Sequence, residues 1–196
     1  MNVESLYLSS SLIFSSDKII CQSSDWIGFD KEVMMDWEHP IMSASAAYIT
    51  HDGGDILEIG FGMGIASNYI QSHSISSHTI IENHPQIIEK LETWANGKSN
   101  VNIISQSWAD VTGSLGRYDG IFYDTDMDDR LNLFSSSLSG LTKNGTKLSV
   151  WNSNISEKND HNIEMSYRQI NITPEVSSSQ YFASGSTTYY MPMKEF

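Results

Sequence analysis

The 196-residue sequence has one cysteine, four prolines and eleven basic side chains. Each scarcity excludes something. Cys21 has no second cysteine to bridge to, so an internal disulfide framework and a cysteine-based metal pattern are both ruled out. A reducing, intracellular setting is the default. Lys and Arg number 11 against 24 Asp and Glu, a formal charge of −13. A surface of that sign repels a phosphate backbone or an anionic membrane, and neither nucleic acid nor membrane is expected as a partner. No stretch approaches the roughly 18 uninterrupted apolar residues of a bilayer span. The apolar patch Leu12-Ile13-Phe14 follows Glu4 and lacks a basic flank, unlike a secretory signal. The sequons at Asn144, Asn154 and Asn171 then read as incidental, and a cytoplasmic location is expected.

What is present is enough apolar material for one core. Hydrophobic residues make up 39% of the chain and aromatics 11%, well above a disordered composition. At about 100–200 residues per domain, the length suits a single globular unit. Serine runs at Ser9–Ser11, Ser135–Ser137 and Ser177–Ser179 are too short to be linkers.

The apolar period changes along the chain as it does when helices and strands alternate. From Lys31 to Tyr48 the spacing of Val33, Met34, Trp37, Ile41, Met42, Ala46 and Ala47 predicts a helix, with Asp30 as its N-cap and Pro40 near its start. Asp55-Ile56-Leu57-Glu58-Ile59 predicts a strand opening into Gly60, Gly62 and Gly64, then a helix over 64–71. Further strands are expected at His78–Glu82, Val101–Ile104, Tyr118–Asp124 and Thr146–Trp151, with helices from Pro85 and over 131–141. This alternation implies an α/β fold, Rossmann-like, with a mostly parallel sheet flanked by helices. Extended segments at Ile163–Thr173 and Thr187–Met193 predict an antiparallel C-terminal hairpin at one sheet edge.

The chemistry is concentrated at the glycine turn. Glycines let a ligand approach backbone closely, and Glu82 ends the next strand about 20 residues on, where a carboxylate can accept ribose hydroxyls. A nucleoside-containing ligand follows. The turn reads Gly-x-Gly-x-Gly, and Glu58 stands two positions before the first glycine. A carboxylate there disfavours a pyrophosphate and suits a ligand with an amino group and a sulfonium, which points to S-adenosylmethionine as cofactor.

Four blocks then resemble a known family. They are Val33-Met34-Met35-Asp36-Trp37-Glu38-His39-Pro40-Ile41-Met42, Leu57-Glu58-Ile59-Gly60-Phe61-Gly62-Met63-Gly64-Ile65, Thr79-Ile80-Ile81-Glu82-Asn83 and Tyr118-Asp119-Gly120-Ile121-Phe122-Tyr123-Asp124-Thr125. In order and spacing they resemble the class I methyltransferases of the guanidinoacetate N-methyltransferase type and the related arginine delta-N-methyltransferases. A weaker echo is Tyr189-Tyr190-Met191-Pro192. The resemblance implies a methyltransferase domain over 31–196, with residues 1–30 as an N-terminal segment and candidate lid. It implies that Glu38 and Asp124 grip a guanidino group, and a ligand at the carboxyl end of a parallel strand independently favours Asp124. It also implies cofactor contacts from Met42, Ser107 and Trp108 beside Glu58, Gly60, Gly62, Gly64 and Glu82. Substrate contacts are implied from Asn152, Ser153 and Asn154.

The expected activity is S-adenosylmethionine-dependent N-methylation of a small guanidino compound such as guanidinoacetate. Free or peptidyl arginine is the alternative acceptor, and a non-catalytic module that binds the same cofactor is another. A nicotinamide-dependent oxidoreductase shares glycine turns and acidic strand ends, but Glu58 and the Glu38/Asp124 pair argue against it. The six histidines show no paired metal-ligand spacing, and no metal is required.

Overall fold

In the computed structural model, residues 3–22, 30–125, 131–152, 158, 163–173 and 187–196 are described. The N-terminal part is a short helix α1 (Val3–Ser9) and strands β1 (Leu12–Phe14), β2 (Lys18–Cys21) and β3 (Lys31–Met35), paired antiparallel in that order. β3 is a correction to the helix expected over 31–48. Its register with β2 runs from Lys18 opposite Met35 to Cys21 opposite Lys31. A run this short fits either period, and pairing with the β1–β2 hairpin decides it. The helix α2 (His39–Ile49) starts only after a 3-10 turn at Asp36–Glu38. Pro40 lies in its first turn, where the missing N–H has no helical partner to lose.

The central sheet has seven strands. Those introduced by the glycine turn and its successors are β4 (Asp55–Ile59), β5 (Ser77–Ile81), β6 (Val101–Ile104) and β7 (Tyr118–Tyr123), all mutually parallel. β8 (Thr142–Val150) adds parallel to β7, while β10 (Thr188–Glu195) adds antiparallel to β8 and β9 (Ser166–Asn171) antiparallel to β10. The spatial order is β6-β5-β4-β7-β8-β10-β9. The C-terminal hairpin expected from the sequence is there, with its second strand inserted between the first and the rest of the sheet. β8 also begins earlier than expected, taking Lys143, Asn144 and Gly145 into the strand through a register shift opposite β7.

Helices cover both faces. Ile56, Ile80 and Phe122 pack against α2, α3 (Ile65–Gln71) and α4 (Pro85–Ala95) through Met42, Ile70 and Leu91. Leu57, Ile121 and Leu148 face the other way, against Trp108 of the short helix α5 (Trp108–Val111) and Phe134 and Leu138 of α6 (Leu131–Leu141). Strands buried on both faces read as continuous apolar runs, as β4, β5 and β7 do. Each fully buried Leu, Ile or Phe in these layers contributes about 1.5–3 kcal/mol of burial. A third cluster, with Ile41, Ile170, Tyr189 and Met191, seals the antiparallel edge under α2. Among the described residues no helix is long and apolar enough to cross a membrane.

Candidate active site

The carboxyl end of β4 must turn sharply beneath the end of β7. A Cβ on Gly60 would overlap the Asp124 carbonyl oxygen, and Gly60 has φ 93°. Only glycine fits that crossing. The Asp124 N–H donates to the Ile59 carbonyl at 2.9 Å, which clamps the two strand ends together. Gly62 is packed as tightly, since a Cβ there would come within 2.5 Å of the Met34 sulfur. Gly64, also at positive φ, precedes the first turn of α3, and a Cβ would press on the Phe61 ring.

Glu82, one residue past β5, ties the loop down. Its carboxylate accepts from the Phe61 N–H at 3.0 Å and from the N–H groups of Asn83 and His84 at 2.8 Å each. Burial pushes its carboxyl above the ordinary value, and these backbone donors, with that of Gly62, oppose the shift. Gly60, Gly62, Glu82, Trp108 and Asp124 line one cleft.

Glu38, almost fully buried, closes the 3-10 turn and accepts from the Met35 N–H at 2.9 Å. It does not line the cleft, whereas Asp124 does. Both charges act on Tyr189 of β10. This phenol is wholly buried and pushed well above its usual value, first by burial and then by the Asp124 and Glu38 charges, with an N–H bond from Asn152 opposing.

A family model described as guanidinoacetate N-methyltransferase matches residues 23–148. The chain belongs to the guanidinoacetate N-methyltransferase family. Curated relatives of this family carry the name protein arginine N-methyltransferase 2. That of Aspergillus oryzae is 34% identical over 157 residues, covering 76% of this chain and 37% of the relative. That of Saccharomyces cerevisiae is 34% identical over 134 residues, covering 62% and 31%. The chain thus spans about a third of these relatives' length. Solved structures with the same fold include spermidine synthase from Thermotoga maritima, at 12% identity and TM-score 0.60, covering 94% of this chain and 72% of the other. Another is Aeropyrum pernix fibrillarin with bound S-adenosyl-L-methionine, at 11% identity and TM-score 0.55, covering 93% and 97%.

The cofactor of a guanidinoacetate N-methyltransferase fold is S-adenosylmethionine, and the cleft fits it. The crossing at Gly60 and Gly62 leaves room for a ligand against backbone, Glu82 places a carboxylate in the lining, and Trp108, Ile81 and Ile87 give an apolar wall. Not every expected contact is placed there. Glu58 has no exposed surface and is absent from the lining: its Oε2 accepts from Ser67 Oγ at 2.6 Å and lies 2.8 Å from His78 Nε2. Strand alternation turns it into the layer beneath α3, with Ile56, and away from the cleft. Met42 is likewise wholly buried in the core, and it is Met34 of β3 that lines the cleft, its sulfur 3.4 Å from the Met63 nitrogen. Ser107 lies at the rim, where its hydroxyl donates to Glu4 Oε1 at 2.9 Å, and its neighbours Gln106 and Trp108 line the wall.

Asn152 is wholly buried. Its N–H donates to the Tyr189 hydroxyl at 2.7 Å and its Nδ2 to the Tyr190 carbonyl at 3.0 Å, so both donors bond to β10. Ser153 and Asn154 lie outside the described residues. The sequence reading had no signal for α1, whose Glu4 and Tyr7 form part of the cleft wall. Tyr7 sits 4.8 Å from the His84 ring, and Glu4 also accepts from Asn83 Nδ2 at 3.1 Å. Thr125, next to Asp124, joins the lining.

Proposed function

We propose that this chain transfers the methyl group of S-adenosylmethionine to the guanidino group of a peptidyl arginine. The observation that carries this reading is Asp124 in the lining of the glycine-turn cleft, with the buried Glu38 carboxylate and Asp124 both acting as charges on the Tyr189 phenol. A guanidinium is permanently charged and has no free lone pair, so its methylation needs groups that hold the cation and take one proton. Two carboxylates do both.

When bound, the cofactor supplies a methyl already activated on a sulfonium. Asp124 faces the cleft and accepts the proton that the attacking nitrogen gives up, while Glu38 holds the remaining nitrogens by charge-assisted hydrogen bonds. The N–CH3 bond forms as the S–CH3 bond breaks, and its electron pair stays on sulfur. Holding both reactants in line provides most of the acceleration.

Arginine is favoured over guanidinoacetate by the lining and by the relatives' names. Among the described residues the cleft wall carries Glu4, Glu82 and Asp124 and no Lys or Arg to meet an acetate carboxylate. The charge of −13 also draws in a basic peptide. We take the protein to work as a cytoplasmic enzyme without a metal, nucleic acid or membrane partner. Incubation with methyl-labelled cofactor and an arginine-rich peptide, free arginine or guanidinoacetate tests the choice. Label is expected in the peptide; label in guanidinoacetate alone overturns the arginine reading, and tighter calorimetric binding of NAD than of S-adenosylmethionine overturns the class.

A further inference from the structure

We propose that Glu4 of α1 reads the nucleobase of the cofactor: its carboxylate accepts from the exocyclic amine of adenine, so that the N-terminal helix selects an adenosyl ligand over a 6-oxopurine one. This goes beyond the choice of methyl acceptor and rests on the cofactor alone. The strand ends under the cleft give the direction in which the ligand lies. Asp124, Gly60 and Glu82 directly follow β7, β4 and β5, and Gln106 comes two residues after β6. All four line the cleft. Their strands are neighbours in the order β6-β5-β4-β7, and adjacent strands lie about 4.8 Å apart. A methyl donor with its sulfonium toward Asp124 and its ribose at Glu82 extends its base one strand further, to the end of β6.

Glu4 is held at that end. Its Oε1 accepts from Asn83 Nδ2 at 3.1 Å, one residue past Glu82, and from Ser107 Oγ at 2.9 Å, between Gln106 and Trp108. The carboxylate therefore bridges the loops that follow β5 and β6. The helix that carries it is seated on the same loop: the buried Tyr7 ring lies 4.8 Å from that of His84, and the Leu12 N–H donates to Gln86 Oε1 at 2.8 Å. Tyr7, Ile87 and Trp108 line the cleft here and offer apolar cover to the faces of a purine. An ionised carboxylate can only accept a hydrogen bond, whereas the Gln106 amide can accept or donate. Glu4 is thus suited to tell an amine from a carbonyl, since a 6-oxo oxygen would be set against its charge.

The test is calorimetric titration with S-adenosylhomocysteine and with S-inosylhomocysteine, in which a carbonyl replaces the adenine amine. The unaltered chain should bind the adenosyl compound about 10²-fold more tightly; equal affinities overturn the proposal without any variant. Glu4→Gln then ties the preference to this side chain. The amide keeps an oxygen for Asn83 and Ser107 and adds a donor that can meet a carbonyl, so the ratio should shrink by about tenfold or more, with the inosyl compound gaining affinity. A wild-type ratio in folded Glu4→Gln protein overturns the role of Glu4. So does an equal loss of affinity for both compounds, the mark of a helix that only covers the cleft. The expected ratios in a protein that labels no guanidine uphold Glu4 and overturn the arginine reading alone.

Discussion

In the parallel half of the sheet, β4, β5 and β7 deliver the glycine crossing, Glu82 and Asp124 of the cofactor cleft from residues 55–125, with the crossing and Glu82 about 20 residues apart. At the antiparallel edge, the groups of the proposed substrate end come from far-separated places: Glu38 before α2, Asn152 after β8 and Tyr189 on β10. The first region is a local motif that carries its own geometry. The second exists only once distant segments have packed. Cofactor binding should accordingly survive damage at the edge, and catalysis should not.

Asp124→Asn separates the two most strongly. Loss of the proton acceptor should lower kcat by about 10²–10⁴-fold, while calorimetric affinity for S-adenosylmethionine stays within about threefold; retained turnover would remove Asp124 as the base. Gly60→Ala attacks the parallel half itself. The added methyl meets the Asp124 backbone at positive φ, and we expect about 3–4 kcal/mol of lost stability in denaturant melts together with lost cofactor binding. A Gly60→Ala protein that melts like wild type contradicts the crossing described. Glu58→Ala sharpens the boundary between fold and site. It should cost about 2–3 kcal/mol by stranding His78, with cofactor affinity of the folded fraction unchanged; a far larger loss of affinity than of stability would restore Glu58 as a ligand contact.

The smallest effect is in alkali. The raised Tyr189 value means the unfolded chain ionises this phenol near pH 10 while the folded chain does not. Its contribution is therefore fully present below pH 10 and is lost as pH rises through the folded value. Wild-type stability should fall by about 1.4 kcal/mol per pH unit more steeply than that of Tyr189→Phe above pH 10. Parallel curves would place the phenol in a wetter site than the structure has.

The same division governs what could be read from sequence. The β4 turn, Glu82 and Asp124 were legible because period, glycine spacing and strand ends are local signals. β3 was not, because Lys31–Met35 fits a helical period until β2 offers it a partner. With β3 read as helix, Met34 could not be told from Met42 as the cleft methionine. Glu58 was misplaced because spacing from a glycine does not say which face of a doubly covered strand a side chain takes. Asn152 was expected as a substrate contact, whereas its bond to Tyr189 depends on β10 lying next to β8, which no pattern in 188–195 announces.

The insertion of β10 between β8 and β9 also bears on how the protein is made. β9 leaves the ribosome before β10 and cannot join β8 directly, so it must wait, with an apolar side uncovered, until residues 188–195 arrive. During synthesis the nucleoside cleft can close early. The contact between Asn152 and Tyr189 forms last, after the strands that carry the cleft.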